Sequence, residues 1–310
     1  MDSITARKIF AFLPIRLRYF MGELIITSIH FDARIFRDYV HGALAARRNF
    51  TNERISKIRS LKDKYKGERC FILGNGPSLN KTDLSKLKNE ISFGSNGIFH
   101  IFEENDYRPT YFTVVDFIFA KNYSKTINNI IKKPNITGIL LNSLRKDIQG
   151  DSSTIWINFL PTWANGHYTQ YTPENLTPHF ERPLLPEFSE DIVRGIHDGG
   201  TVTYINLQLA LYMGFKEIYL IGIDHNYKID RTIKTDFEDI LISDYEVDPN
   251  HFSPNYTPKG HTMTVPRVHI MERCYYKARK IAEKRNVKIF NATRGGHLRV
   301  FNRVNYNSLF

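Results

Sequence analysis

The stretch at residues 201–222, TVTYINLQLALYMGFKEIYLIG, leaves few folds open. Residues 201–213 read as a helix, Gly214 stops it as a C-terminal glycine cap does, and EIYLIG is a continuous apolar strand. A strand apolar on both sides belongs inside a sheet covered on both faces, which means a mostly parallel sheet. The pattern recurs. RCFIL at Arg69–Leu73 and the segments 91–95, 111–115, 136–141, 154–159 and 287–290 read as strands, while 119–131 and 265–286 read as helices. Alternation of this kind predicts an α/β protein with helices on both faces of the sheet.

In open parallel sheets, ligands bind at the carboxyl ends of the strands, and there this sequence turns polar. Gly74, Asn75, Gly76 and Ser78 (GNGPSL) leave the first strand; glycines let backbone N–H groups approach a phosphate closely, and Ser78 adds a hydroxyl. The loop is neither a Walker loop nor the dinucleotide fingerprint, since it lacks GK[ST] and a third glycine. Asn96 follows the second strand and offers donor and acceptor together. Asp116 ends the third, where a carboxylate can hold a hydroxyl, orient a base or bind a metal. Gly222, Asp224 and Tyr227 (GIDHNY) end the strand EIYLI. Asp198-Gly199-Gly200 precedes the 201–213 helix, whose start carries Thr201 and Thr203, so amides and hydroxyls again suit an anion. His251, in the polar segment 250–256, is a candidate general base because imidazole titrates near neutrality.

Charge divides the chain. The net charge of +11 favours an anionic partner, and much of it lies in the first 70 residues, among them Arg7, Lys8, Arg16, Arg18, Arg34, Arg47 and Arg48. We therefore expect a basic, amphipathic helical arm at 1–66 and a catalytic domain at 67–310. The arm either lies on an anionic membrane surface or packs against its own domain or a second subunit. Arg16 and Arg18 interrupt any signal-peptide core, and no apolar run approaches the ~20 residues of a spanning helix. Cys70 and Cys274 fit neither a disulfide framework nor a metal spacing; they read as core thiols in a reducing cytoplasm. Five prolines at 161, 173, 178, 183 and 186 mark 160–190 as a lid or acceptor loop. No RNA-recognition, helix-turn-helix or zinc-finger signature accompanies the charge, so nucleic acid is not the expected partner.

Two motifs in order, GNGPSL and GGTVTYINLQLALYMGFKEIYLIGIDHNY, with NATRGGHLRVF near the end, resemble one superfamily. It joins bacterial family 42 sialyltransferases, 6-hydroxymethylpterin diphosphokinase-like proteins and motility-associated flagellin glycosyltransferases. The resemblance implies a Rossmann-like α/β fold, GT-A-variant-like, from about Gly67 onward. It implies a CMP-sugar donor (sialic acid, Kdo or a related acidic sugar) held by Gly74, Asn75, Gly76, Ser78, Asn96, Thr201 and Asp224. Tyr227 would supply the aromatic hydroxyl, shifted by one position. The family's base is a histidine in a loop like 251–256; an ungapped match places Asn255 there, with His251 slightly earlier. The Ser after the family's Thr is Val202 here, and its preceding Arg is Gly199, with Arg194 the nearest substitute. The implied reaction is an inverting transfer to a saccharide or glycolipid acceptor that needs no metal. The other branch would be an ATP-dependent diphosphokinase using Mg²⁺ on Asp116 and Asp224.

Overall fold

The computed structural model describes residues 51–160, 187–228 and 240–310. The folded α/β unit runs from Asn52 to Phe310. The expected arm therefore lies, over residues 1–50, outside the described residues, as does most of the expected lid at 161–186.

Eight strands form one parallel sheet in the order β10-β9-β6-β1-β2-β3-β4-β5. These are β1 Arg69–Leu73, β2 Ser92–Ser95, β3 Tyr111–Val114, β4 Thr137–Leu141, β5 Ile155–Ile157, β6 Glu217–Ile221, β9 Lys288–Asn291 and β10 Asn302–Arg303. Each expected strand is present within one or two residues of its sequence bounds. The central pair, β1 and β6, is in register from Arg69↔Glu217 to Leu73↔Ile221. The strands added after β1 run outward on one side, and β6, β9 and β10 lie on the other. The β1–β6 boundary is thus the topological switch point, where ligands of such sheets bind.

The helices are α1 Asn52–Arg59, α2 Phe117–Asn122, α3 Ser124–Ile131, α4 Val202–Tyr212 and α5 Val268–Lys284. With this strand order, the right-handed crossovers general to parallel sheets put α2 and α3 on one face and α4 and α5 on the other, and α4 and α5 are in contact. Every residue of α4 from Thr203 to Tyr212 is buried, which explains its apolar sequence on all sides. Gly214 sits at φ +86°, the left-handed cap expected of it. The helix expected at 119–131 is broken at Tyr123 (φ −119°, ψ 23°) into α2 and α3. The sequence did not signal the antiparallel hairpin of β7 Ile240–Ile242 and β8 Thr262–Thr264, whose three-residue strands are far apart in the chain.

One boundary moves. Residues 52–66, which their charge places in the basic arm, pack into the α/β unit. Ile58 and Leu61 are core residues, and buried Arg54 donates from Nε to the Trp156 carbonyl of β5 at 2.6 Å. Tyr65 stacks on Phe215, and its hydroxyl pairs with that of Tyr111 at 3.0 Å. The charges hid an apolar stripe at 58, 61 and 65. Ile58→Ala should therefore destabilise the domain by about 2–5 kcal/mol in chemical denaturation, as a core truncation does. A surface arm would lose less than about 0.5 kcal/mol. Both cysteines are buried, as expected. Among the described residues no helix is long and apolar enough to cross a membrane.

Candidate active site

The strand ends on either side of the switch point are locked together by backbone. Gly74 N–H donates to Ile221 O at 2.8 Å and Gly76 N–H to Gly222 O at 2.9 Å. A Cβ on Gly74 would overlap Gly222 O, and one on Gly76 would fall on the Asp224 carboxylate. The glycines are required here because two loops pass within backbone contact. The C-terminal motif braces the same corner. Thr293 Oγ1 accepts Ile223 N–H at 3.0 Å, and His297 N–H donates to Asp224 O at 2.7 Å.

Over this corner opens a cleft of about 460 Å³. Gly74, Asn75, Gly76, Asn96, Asp116, Thr201, Thr203, Gly222, Asp224, Tyr227 and His251 all line it, so six segments separated in sequence converge there. Ser78 and Asn255 are not among its lining residues. Ser78 instead donates from Oγ to Asp224 Oδ2 at 2.7 Å and from its backbone N–H to Oδ1 at 3.2 Å. Its hydroxyl is thus committed to fixing the GNGPSL turn. Burial pushes the Asp224 carboxyl up, against the pull of the two Ser78 bonds. Asn255 is exposed, and its neighbour Tyr256 turns inward in its place.

The two asparagines end in unmet acceptors. Asn75 Nδ2 donates to Ser95 O at 3.1 Å and to Tyr256 Oη at 3.0 Å, while its Oδ1 is buried without a partner. Asn96, at φ +47°, likewise buries an unpartnered Oδ1. Buried polar atoms are almost always paired, so two unpartnered amide oxygens on residues lining one cleft stand out.

The helix starts are already capped. Asp116, which lines the cleft, accepts at Oδ1 from Ile118 N–H at 2.8 Å and Phe119 N–H at 3.0 Å. Thr201 caps α4 by accepting Thr203 N–H at 3.3 Å, and the Tyr275 hydroxyl bonds both threonines, with burial pushing that phenol up to about 12. Asp198 Oδ1 accepts Gly200 N–H at 2.9 Å. Burial pushes the Asp198 carboxyl up, opposed by that bond and by Arg267, while Asp116 raises it further. The anion expected at this helix start thus meets a carboxyl already in place.

On the far side, His251 stands on a loop pinned to the glycine turn, since Phe252 N–H donates to Asn75 O at 2.8 Å. Its Nδ1 is 2.8 Å from Asp248 Oδ2, and its ring lies flat on Tyr256, centroids 3.7 Å apart and planes 6° apart. Asp248 and Tyr275 were not singled out from sequence, while Asp198 and Tyr256 entered only as members of the segments 198–200 and 250–256. Only Asp248 left a local signal, three residues before His251.

The family model described as "MptE-like: 6-hydroxymethylpterin diphosphokinase MptE-like" matches residues 45–230. That span includes α1 and every glycine loop of the switch point, and stops before the His251 loop. No curated protein matches the sequence. Among solved structures, the chain is similar to the MAf glycosyltransferase from Magnetospirillum magneticum AMB-1. Identity is 14% and the TM-score 0.46, over 84% of this chain and 39% of that one. The sialyltransferase CstII from Campylobacter jejuni, solved with cytidine-5′-monophosphate, matches at 17% identity and a TM-score of 0.34. The match covers 78% of this chain and 88% of that one. The chain thus spans about two fifths of the MAf protein's length.

Proposed function

This chain belongs to the MptE-like family, and from that premise we propose that it is a nucleotide-dependent transferase acting on a hydroxyl acceptor, specifically an inverting glycosyltransferase with a CMP-sugar donor. The observation that carries this is the pairing, in one cleft, of two unfilled amide acceptors with a buried-carboxylate–histidine pair. The open oxygens of Asn75 and Asn96 suit a ligand rich in donors, such as the amino group of a base or the hydroxyls of a ribose. His251 suits removal of a proton from an acceptor hydroxyl. In the transfer, that oxygen attacks the anomeric carbon as the bond to the phosphate oxygen breaks. CMP leaves with the electron pair, and His251 holds the proton. The hydroxyls of Thr201 and Tyr227, two of the residues that line the cleft, would meet the leaving phosphate, since the Gly74 and Gly76 amides are already engaged across the β1–β6 corner. The acceptor is a saccharide or glycolipid, and the basic segment before the α/β unit would hold the enzyme at an anionic membrane.

The family's description favours a second reading, transfer of diphosphate from ATP to a pterin alcohol. It would use the same base but require Mg²⁺. Asp224 fits that role poorly, because Ser78 engages both its oxygens, which leaves Asp116 Oδ2 and Asp198 as the available carboxylates.

A thermal-shift series with CMP, CDP, UDP, GDP and ATP, each with and without Mg²⁺, separates the two. CMP at 100-fold over Kd adds about 2.7 kcal/mol of stability, a rise of roughly 5 °C or more. Asn96→Ala should weaken CMP binding by about tenfold, the worth of one buried hydrogen bond. A response to ATP with Mg²⁺ alone discards the CMP-sugar reading.

A further inference from the structure

The loop at 248–257 holds its histidine more tightly than a surface loop needs to. Asp248 is almost wholly enclosed, its side chain 2% exposed against 20% for His251. Its Oδ1 accepts Asn250 N–H at 2.8 Å, and its own N–H donates to Pro254 O at 3.1 Å, so Oδ2 is fixed opposite His251 Nδ1. The histidine ring cannot turn away, because one face lies on Tyr256. Tyr256 is held in turn: its hydroxyl oxygen accepts Gly97 N–H at 3.2 Å and receives Asn75 Nδ2 at 3.0 Å. A Cβ on Gly97 would enter the Tyr256 ring, so the contact is built into the backbone.

We propose that Asp248 is a positioning residue that fixes His251 as the Nδ1–H tautomer, leaving the Nε2 lone pair to the cleft, and that Tyr256 ties this orientation to the nucleotide loops. An ionised carboxylate only accepts hydrogen bonds, so the shared proton must sit on Nδ1. Burial alone would raise the Asp248 carboxyl, yet the bonds from His251 and from Asn250 N–H hold it below the ordinary carboxylate range. Nε2 is then the one ring atom left to take a proton from a hydroxyl, and the imidazolium that forms faces a carboxylate. The catalytic half of this inference rests on the hydroxyl-transfer reading above; the tautomer does not.

The test is nitrogen-15 NMR of histidine-labelled protein, together with release of CMP from CMP-sialic acid and CMP-Kdo. In the wild type, His251 should show a protonated Nδ1 and an unprotonated Nε2. Asp248→Asn preserves volume and can keep the Asn250 contact. Its amide donates where the carboxylate accepted, so the tautomer should invert and turnover fall about 10²–10⁴-fold. CMP affinity should stay within about twofold, and Asp248→Glu should recover part of the rate. A wild-type His251 protonated on Nε2 overturns the proposal, and that measurement stands even if the variant does not fold. Unchanged turnover in a variant whose tautomer has inverted overturns the catalytic role. Failure of the wild type to bind any nucleotide removes the transfer reading while the tautomer result still decides the dyad.

Discussion

Gly76→Ala should abolish CMP binding and lower domain stability by about 4–9 kcal/mol, although it adds a single methyl group. Gly76 has an ordinary extended conformation (φ −69°, ψ 159°), so the cost is not backbone strain. It is occupancy: the new Cβ would fall on the carboxylate of Asp224 and within 2.8 Å of Gly222 O. Overpacking of this kind costs about 1–3 kcal/mol. Displacing Asp224 also breaks its bonds to the Ser78 hydroxyl and amide, each about 1.5–3 kcal/mol for a charged acceptor when not replaced. Both effects disturb the turn that carries Asn75 into the cleft. Denaturation curves and calorimetry with CMP measure the two losses separately. A variant that keeps its affinity would mean that the nucleotide does not depend on the β1–β6 corner.

Gly76 also marks how far the sequence could be read. Every strand of the parallel sheet except the two-residue β10 announced itself, because a strand buried on both faces is apolar along its buried length, as CFIL and IYLI are after the half-buried Arg69 and Glu217. The convergence of the strand-end loops followed from that, and the cleft gathers them. What local sequence cannot state is who meets whom across the chain. Ser78 looked like a ligand hydroxyl, but its partner is Asp224, 146 residues away. Asp116 and Thr201 read equally as site residues and as helix caps, and each does make a capping bond to its own helix. Residues 52–66 looked like part of the arm because charge dominates them, while three apolar side chains turn inward. For the base, the ungapped family match points to Asn255 and the chemistry of imidazole to His251; since the loop sends Asn255 outward and keeps His251 at the cleft, we choose His251.

That decision has a kinetic consequence. His251→Phe should reduce transfer by about 10²–10⁴-fold, while Asn255→Ala changes neither rate nor stability beyond about 0.5 kcal/mol, as an exposed side chain away from the cleft should. Phe keeps a flat ring on Tyr256, so the hold on Gly97 and Asn75 survives and CMP binding persists. What disappears is the partner of Asp248. In the wild type that carboxyl titrates below the ordinary Asp range in the folded state. The stability it contributes is therefore complete above the unfolded-state pKa, about 3.9, and is lost as pH falls through the lower folded-state value. Without His251 the desolvation of an enclosed carboxylate is unopposed by an imidazole, and its folded-state value rises. Ionisation then works against folding, so the variant loses stability relative to wild type as pH rises from about 4 toward 7. Urea denaturation at pH 4 and pH 7 reads this directly: the gap between wild type and His251→Phe should widen at the higher pH. A gap that is the same at both values would mean that Asp248 and His251 are neighbours without being coupled. Full transfer activity in the phenylalanine variant would move the base elsewhere in the cleft.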